Sequence, residues 1–152
     1  MPIYTVSFAA VAVSAAQDLF EVVSAAAGLI EIHGYKLFQT TDFGDAQAEG
    51  LSLQWIRGYT TTGSGGTTVT PVLQSSRDGA ATATCKANNT TVATAGTPVT
   101  YDATGWNVQG GASEFWPPEL RPRLRNSERG VLRMTAPTDP ITLSGTLYFE
   151  EL

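Results

Sequence analysis

The sequence reads ITLSGTLYFE from residue 141 to residue 150, and apolar side chains alternate with polar ones along this stretch. A repeat of two residues is typical of a β-strand that buries one face. Gly145 falls on the apolar side of the pattern, where a missing side chain commonly makes room for a bulky neighbour. The stretch therefore predicts a half-buried strand that packs closely against another element at Gly145.

The same alternation recurs in other parts of the chain. Residues 4–8 and 51–55 both repeat it. Between residues 29 and 39 the apolar positions change parity across Gly34, which predicts a β-bulge at this glycine.

Weaker strand candidates alternate with turn-forming residues in the second half of the chain. The candidate strands cover residues 80–87, 98–108 and 131–136. The turn signals cover residues 77–79, 88–89, 109–111, 126–130 and 137–140. Short strands at these spacings predict an all-β protein, an antiparallel β-sandwich with a jelly roll as its expected topology.

Three segments are less regular. Residues 15–27 fit a helical face and a strand about equally, and we interpret them as a strand. Residues 60–68 are rich in glycine and threonine, which predicts a long, mobile connection or hairpin arm. Asp42 to Glu49 could form a single helical turn capped by Asp42. The length of 152 residues predicts one domain over residues 1–152.

Composition excludes several classes of protein. Only 15% of the residues are charged, against a usual fraction of roughly 25%. Few charges predict broad neutral surfaces or surfaces buried against another subunit. The net charge of −5 argues against binding nucleic acid or an anionic membrane through bulk charge. The first residues lack the basic region of a signal peptide, so we expect a protein that is made and assembled in a cytoplasm.

Candidate catalytic or metal-binding residues are few. His33 is the only histidine and lies on the polar side of its predicted strand, so we interpret it as a surface or interface residue. Cys85 is the only cysteine, which excludes an internal disulfide and a cysteine zinc cluster. The carboxylates Asp42, Asp45 and Glu49 lack the alternate spacing of a calcium loop and suit helix capping better. The sequence therefore predicts no catalytic residues, no cofactor and no bound metal.

The basic residues are concentrated near the C-terminus. Five of the nine lie between residues 121 and 133. Arg121, Arg123 and Arg125 share parity, so an extended strand would place them on one face. Two interpretations stay open: a solvated edge strand that resists pairing with other chains, or a basic stripe that docks on an acidic protein surface. Nucleic-acid binding is a third and weaker alternative, because the rest of the chain is acidic.

An aromatic segment precedes the arginines. Trp106, Phe115 and Trp116 lie close together in the sequence, and two prolines follow them. Large aromatic side chains are seldom left to solvent, so we expect them to pack over one end of the sandwich or across a subunit contact. Together with Arg121, Arg123 and Arg125 they form the predicted partner-binding set.

Several short motifs resemble those of a known family. They are YTVSF (4–8) with AQDLFE (16–21), TDFGDAQAE (41–49), GSGG (63–66) with VTP (69–71), ANNTT (87–91) and LSGTLYFEE (143–151). With these motifs the chain resembles, over nearly its whole length, small proteins encoded in the structural regions of tailed phages and prophages. The resemblance implies a virion component, foremost a capsid decoration (cement) protein that sits as a homotrimer on the major capsid protein. It supplies no catalytic residue.

Other functions remain as alternatives. Within the virion, the chain could be a tail or head-completion protein. A carbohydrate-binding β-sandwich would use Trp106 and Trp116 as stacking platforms. A small hydrolase or isomerase would need several histidines or a carboxylate pair facing a cavity, and the lone His33 disfavours it.

Overall fold

The computed structural model describes residues 1–40 and 49–152, and within these residues the chain is built almost entirely of β-strands. It forms twelve strands there, together with one 3-10 helix at Pro118–Leu120. The strands are β1 (Ile3–Val13), β2 (Gln17–Val23), β3 (Leu29–Gln39), β4 (Gly50–Thr61), β5 (Thr67–Val69), β6 (Val72–Leu73), β7 (Thr84–Asn89), β8 (Thr94–Asn107), β9 (Gly111–Phe115), β10 (Arg123–Arg125), β11 (Arg129–Met134) and β12 (Ile141–Glu151).

The strands form two antiparallel sheets with the core between them. Sheet 1 has the order β10-β3-β12-β1-β6, and β9 pairs with the same edge of β3 as β10 does. Sheet 2 has the order β5-β7-β2-β11-β4-β8. The rings of Phe8 on β1 and Phe20 on β2 meet across the core with centroids 5.2 Å apart. The predicted all-β antiparallel sandwich is confirmed, while the jelly-roll topology within that class stays a prediction.

The C-terminal strand has the predicted burial pattern. Its alternate residues, Ile141, Leu143, Leu147 and Phe149, are buried and face the core. Gly145 lies in the same row, and a Cβ atom there would come within 2.6 Å of Leu37 Cδ2 on the neighbouring β3. The glycine therefore admits the leucine side chain, as the sequence predicts.

The bulge predicted at Gly34 is present. Tyr148 of β12 pairs with Gly34 and Phe149 pairs with Ile32, so His33 is the extra residue on β3. The register shift returns Tyr35 to the core side of the sheet and leaves His33 on the outer face.

Residues 15–27 contain a strand, β2, and the interpretation of this segment as a strand is confirmed. A second register shift explains its mixed pattern. Phe20 pairs with Leu132 and Asp18 with Arg133, which leaves Leu19 as the extra residue. Leu19 and Phe20 consequently both join the core, and two successive core residues break the period of two.

The glycine-rich segment 60–68 differs from its prediction as a long, mobile loop. β4 continues to Thr61 and β5 begins at Thr67, so the connection between them is short. Its Gly63 N–H donates to Glu21 at 2.9 Å, and a Cβ atom at Gly66 would lie 2.2 Å from the Ala87 carbonyl oxygen. Glycine is required here because the connection lies directly against β7.

Two further turn predictions have different outcomes. The turn predicted at residues 88–89 is wrong, because both asparagines belong to the end of β7. Asn88 has the turn-like φ of 58°, which asparagine tolerates, and the Asn89 amide donates to Glu21 at 2.9 Å. The helical turn predicted from Asp42 to Glu49 lies outside the described residues except for Glu49. Nowhere in residues 1–40 or 49–152 does the chain form a helix with the length and hydropathy that a membrane crossing requires.

Candidate partner-binding site

Three of the predicted site residues meet at one edge of sheet 1. Strand β10 pairs with β3, and its middle residue Leu124 is fully buried in the core. The alternation along a strand then turns Arg123 and Arg125 away from the core. Arg121 precedes the strand, and all three arginines line the same open cleft. The prediction that the three share one face is confirmed.

This arginine cleft has a volume of about 420 Å³. Its lining residues are Arg57, Tyr101, Glu119, Arg121, Arg123, Arg125 and Glu128. Four guanidinium groups and two carboxylates therefore surround it. Arg57 comes from β4 of sheet 2, at the second register shift of the β4–β8 pairing, and could not be placed beside the other three from the sequence.

The guanidinium groups of the cleft differ in their partners. Arg57 binds Glu128 at 3.1 Å, and Arg123 binds Glu31 at 2.5 Å. Arg121 lies 3.6 Å from the other oxygen of Glu31, and its buried Nε has no hydrogen-bond partner among the described residues. For Arg125, no side-chain ion pair occurs within the described part of the chain. The cleft therefore presents donors that are available to an anionic group.

The aromatic residues divide into two groups. Trp106 and Trp116 are each only 7% exposed and belong to the core of this single chain. The Trp116 ring packs edge-on against Trp55 and Tyr35, and its Nε1–H donates to Asp102 at 2.8 Å. Of the two alternatives, packing within the sandwich or across a subunit contact, the structure shows the first for both tryptophans, because the single chain buries them.

Phe115 is the member of the aromatic set that faces outward. Its side chain is 48% exposed and contacts the Tyr148 ring, with centroids 5.4 Å apart, under the Lys36 ammonium. Phe115 pairs with Gly34 and Arg123 with Glu31 on the same edge of β3. The phenylalanine and the arginine cleft are thus about 10 Å apart along that edge.

The structure also assembles a cluster that sequence reasoning missed. His33 Nε2 lies 3.2 Å from Glu150 Oε2, and Glu31 completes a group whose nearest nitrogen and oxygen atoms all lie within 4.8 Å of one another. The alternate spacing of Glu31 and His33 was a visible signal. Glu150 joins them only through the β3–β12 pairing, across more than a hundred residues of sequence.

The candidate acidic residues can be assessed only at Glu49, which has a structural role. Among the acidic cluster, Asp42 and Asp45 lie outside the described residues. Glu49 accepts a hydrogen bond from the Thr138 backbone N–H, and its hydrogen bonds to Thr138 lower the pKa of its carboxyl group. Glu49 therefore links the turn before β12 to the start of β4 by hydrogen bonds.

Cys85 is buried on β7, and burial, aided by the charge of Glu151, raises the pKa of its thiol to about 12. Because the thiolate is the reactive form, we expect no measurable reaction of the native protein with an aromatic disulfide reagent at pH 8. In denaturant, one thiol per chain should react. Absorbance of the released thiol measures both, and rapid reaction of the native protein would contradict the placement of Cys85.

A scan against protein-family models, a search of curated proteins and a search of solved structures each gave no match. The resemblance of the sequence motifs to phage structural proteins therefore stays a prediction.

Proposed function

We propose that the chain is a structural component of a tailed-phage virion, a capsid decoration protein that binds the outer shell through the arginine cleft. The observation that carries the proposal is the convergence of Arg57, Arg121, Arg123 and Arg125 around one open cleft of a chain that is otherwise poor in charge. The proposal assigns no enzymatic activity. Its cellular setting is assembly in the bacterial host cytoplasm, with the virion as the final location.

The chemistry of the cleft favours a carboxylate-bearing protein surface as the partner. A guanidinium group offers a planar pair of donors that matches a carboxylate. Arg125 has no ion pair to give up among the described residues, and the long 3.6 Å approach of Arg121 to Glu31 leaves that group only loosely held. An acidic segment of the major capsid protein could therefore bind without breaking the short Arg123–Glu31 pair.

An apolar contact beside the cleft would supply most of the affinity. Exposed ion pairs contribute about 0–1 kcal/mol each, so arginines alone bind weakly. Phe115 and Tyr148 form an aromatic pair on the outer face of sheet 1, and Phe38 is also half exposed. Aromatic side chains with an adjacent arginine are the residue types that dominate binding energy in protein interfaces.

The homotrimer is part of the same proposal. The buried tryptophans give it no support, because the sandwich covers them by itself. Exposed apolar side chains that the shell contact does not use support it instead: Val72, Val99 and Leu120. Closed rotational symmetry would cover such groups on every subunit at once, and three-point attachment would raise the avidity for the shell.

A tail or head-completion protein remains the alternative within the virion. Electron microscopy of the parent particle distinguishes the two locations directly. The carbohydrate-binding alternative loses its proposed platform, because Trp106 and Trp116 present no open ring face.

Replacing Arg121, Arg123 and Arg125 together by serine should weaken binding to particles that lack the protein by about ten- to a hundredfold at low salt. The effect should shrink as salt is raised, because exposed charges are then screened. Co-sedimentation of the protein with particles measures the occupancy. Sedimentation equilibrium should show an unchanged trimer for this variant.

Single substitutions provide the matched control. Arg125→Ser removes a charge from the cleft without breaking an ion pair among the described residues, whereas Arg77→Ser removes an exposed charge from a loop outside it. We expect Arg125→Ser alone to reduce occupancy. Equal occupancy for the triple variant and the natural protein would overturn the cleft contact, a monomer at micromolar concentration would overturn the trimer, and failure of the natural protein to bind particles would overturn the decoration role.

A further inference from the structure

We propose that Glu31, His33 and Glu150 form a binding site for a divalent transition-metal cation of the Zn²⁺ type on the outer face of sheet 1. The three side chains come from two neighbouring strands, β3 and β12. The site does not depend on the proposed virion role, although Arg121 and Arg123 of the arginine cleft also contact Glu31.

The spacing of the three groups suits a common cation. Zinc binds histidine nitrogen and carboxylate oxygen at about 2.0–2.2 Å with tetrahedral geometry, which places neighbouring ligand atoms roughly 3.4 Å apart. His33 Nε2 and Glu150 Oε2 are already 3.2 Å apart. The third ligand atom, from Glu31, lies within 4.8 Å of the other two, so a small side-chain movement would complete the set.

The backbone explains why these groups lie together. Glu31 and Glu150 are directly opposite in the β3–β12 register, and like charges at such a position repel each other. The bulge at His33 then adds an imidazole to the same outer face. Arg121 and Arg123 already offset the charge of Glu31, so a cation would gain most from the Glu150 carboxylate and the His33 imidazole, with Glu31 as the third ligand.

Arg121 and Arg123 contact different oxygen atoms of Glu31, at different distances. Arg123 binds Oε1 at 2.5 Å, whereas Arg121 is 3.6 Å from Oε2, beyond hydrogen-bond range. Oε2 is therefore the less engaged of the two Glu31 oxygens. Arg123 would hold the carboxylate in place from the other side, as outer partners of metal ligands commonly do.

The donor set selects the class of cation. One imidazole nitrogen with two carboxylates suits zinc and its transition-metal neighbours. Calcium binds six to eight oxygen atoms, and magnesium keeps an octahedral shell of oxygens. The side chains are about one-seventh exposed at His33 and Glu150, which leaves access for the cation and for a water molecule as the fourth ligand.

The test uses protein without an affinity tag that has been treated with a chelator and dialysed. Zn²⁺ is titrated in by isothermal calorimetry, with Ca²⁺ and Mg²⁺ titrated separately. Because His33 is the only histidine, the imidazole nitrogens of ¹⁵N-labelled protein report on one residue. We expect one zinc ion per chain, a large shift of the His33 Nε2 resonance, and no comparable response to calcium or magnesium.

Variants locate the ligands. His33→Ala should weaken zinc binding by at least about 100-fold, and the isosteric Glu150→Gln by at least about tenfold, since even outer-shell changes cost about 10–100-fold. Asp139→Asn, an exposed carboxylate outside the cluster, is the matched control and should bind zinc unchanged.

Three results would overturn the proposal. They are no heat and no resonance shift with millimolar Zn²⁺, zinc binding without a shift of the His33 Nε2 signal, and equal affinity in the His33→Ala protein. The first would leave His33 and Glu150 as a simple hydrogen-bonded pair. The other two would assign the bound zinc to unrelated surface carboxylates. The resonance measurement needs no substitution, so it decides the question even where a variant folds poorly.

Discussion

Replacing Arg133 by methionine is expected to lower the free energy of unfolding by about 3–5 kcal/mol. The reason is Asp18, a fully buried carboxylate on β2. Arg133 donates two hydrogen bonds to this carboxylate, from Nε to Oδ1 at 2.7 Å and from Nη2 to Oδ2 at 3.2 Å. Without the arginine, Asp18 would keep the Ala93 N–H as its hydrogen-bond donor but would have lost its ion-pair partner.

The surroundings of Arg133 keep its guanidinium group charged. Burial by itself lowers the pKa of the guanidinium, but the hydrogen bond and charge of Asp18 raise it and prevail. The guanidinium also lies over the Tyr59 ring, 4.8 Å from its centroid, and donates to the Tyr59 hydroxyl. Methionine matches the length of the arginine stem and can fill part of this space, so the measured loss reports mainly on the unpaired charge.

Urea denaturation measures the loss of unfolding free energy. Two further variants show whether the loss comes from the buried ion pair. Arg125→Met removes an arginine without a side-chain ion pair among the described residues and should change the unfolding free energy by less than about 0.5 kcal/mol. The double change Asp18→Leu with Arg133→Met removes both charges and should recover part of the stability. A loss below 1 kcal/mol in the Arg133→Met protein would contradict the buried pair.

Replacing Trp116 by alanine is expected to cost a similar amount, about 3–5 kcal/mol. The indole lies between the sheets, where it makes edge-on ring contacts with Trp55 and Tyr35. Asp102 accepts a hydrogen bond from the indole N–H. Alanine would leave a large cavity and an unpaired carboxylate. Urea denaturation again gives the value.

The adjacent Phe115 is the matched control. Its ring is half exposed on the outer face of sheet 1, so Phe115→Ala should cost no more than about 1 kcal/mol. Under the proposed function the same change should weaken particle binding. A stable Trp116→Ala protein that no longer binds particles would show that Trp116 is a contact residue after all.

Features of the fold that depend only on neighbouring residues are visible in the sequence. The alternation in residues 141–150 and the same parity of Arg121, Arg123 and Arg125 depend only on the period of a strand, and both are present in the structure. The bulge beside Gly34 could be predicted from the sequence, because the apolar residues change parity at this glycine. The pattern in residues 15–27 was ambiguous because the bulge at Leu19 places two successive residues in the core.

Features that depend on distant segments were not predictable in the same way. The glycines of residues 60–68 suggested mobility, whereas they allow close contact with β7. Trp106 and Trp116 were compatible with packing over one end of the sandwich or with a subunit contact, and the structure buries both in the core of the single chain. The residue types showed that the glycines leave space and that the tryptophans require burial. Which segment fills the space or covers the ring depends on the strands packed against them.

The sequence by itself determined an all-β sandwich, one row of outward-facing arginines and the absence of an internal disulfide, because strand period and residue identity are local properties. The tertiary structure decided that Arg57 joins the arginine cleft, that the tryptophans are core residues and that Glu150 lies beside His33 and Glu31. Those relations arise from strand pairing and sheet packing between segments far apart in the chain. Register and packing are collective properties of both sheets, so no single stretch of sequence contains them.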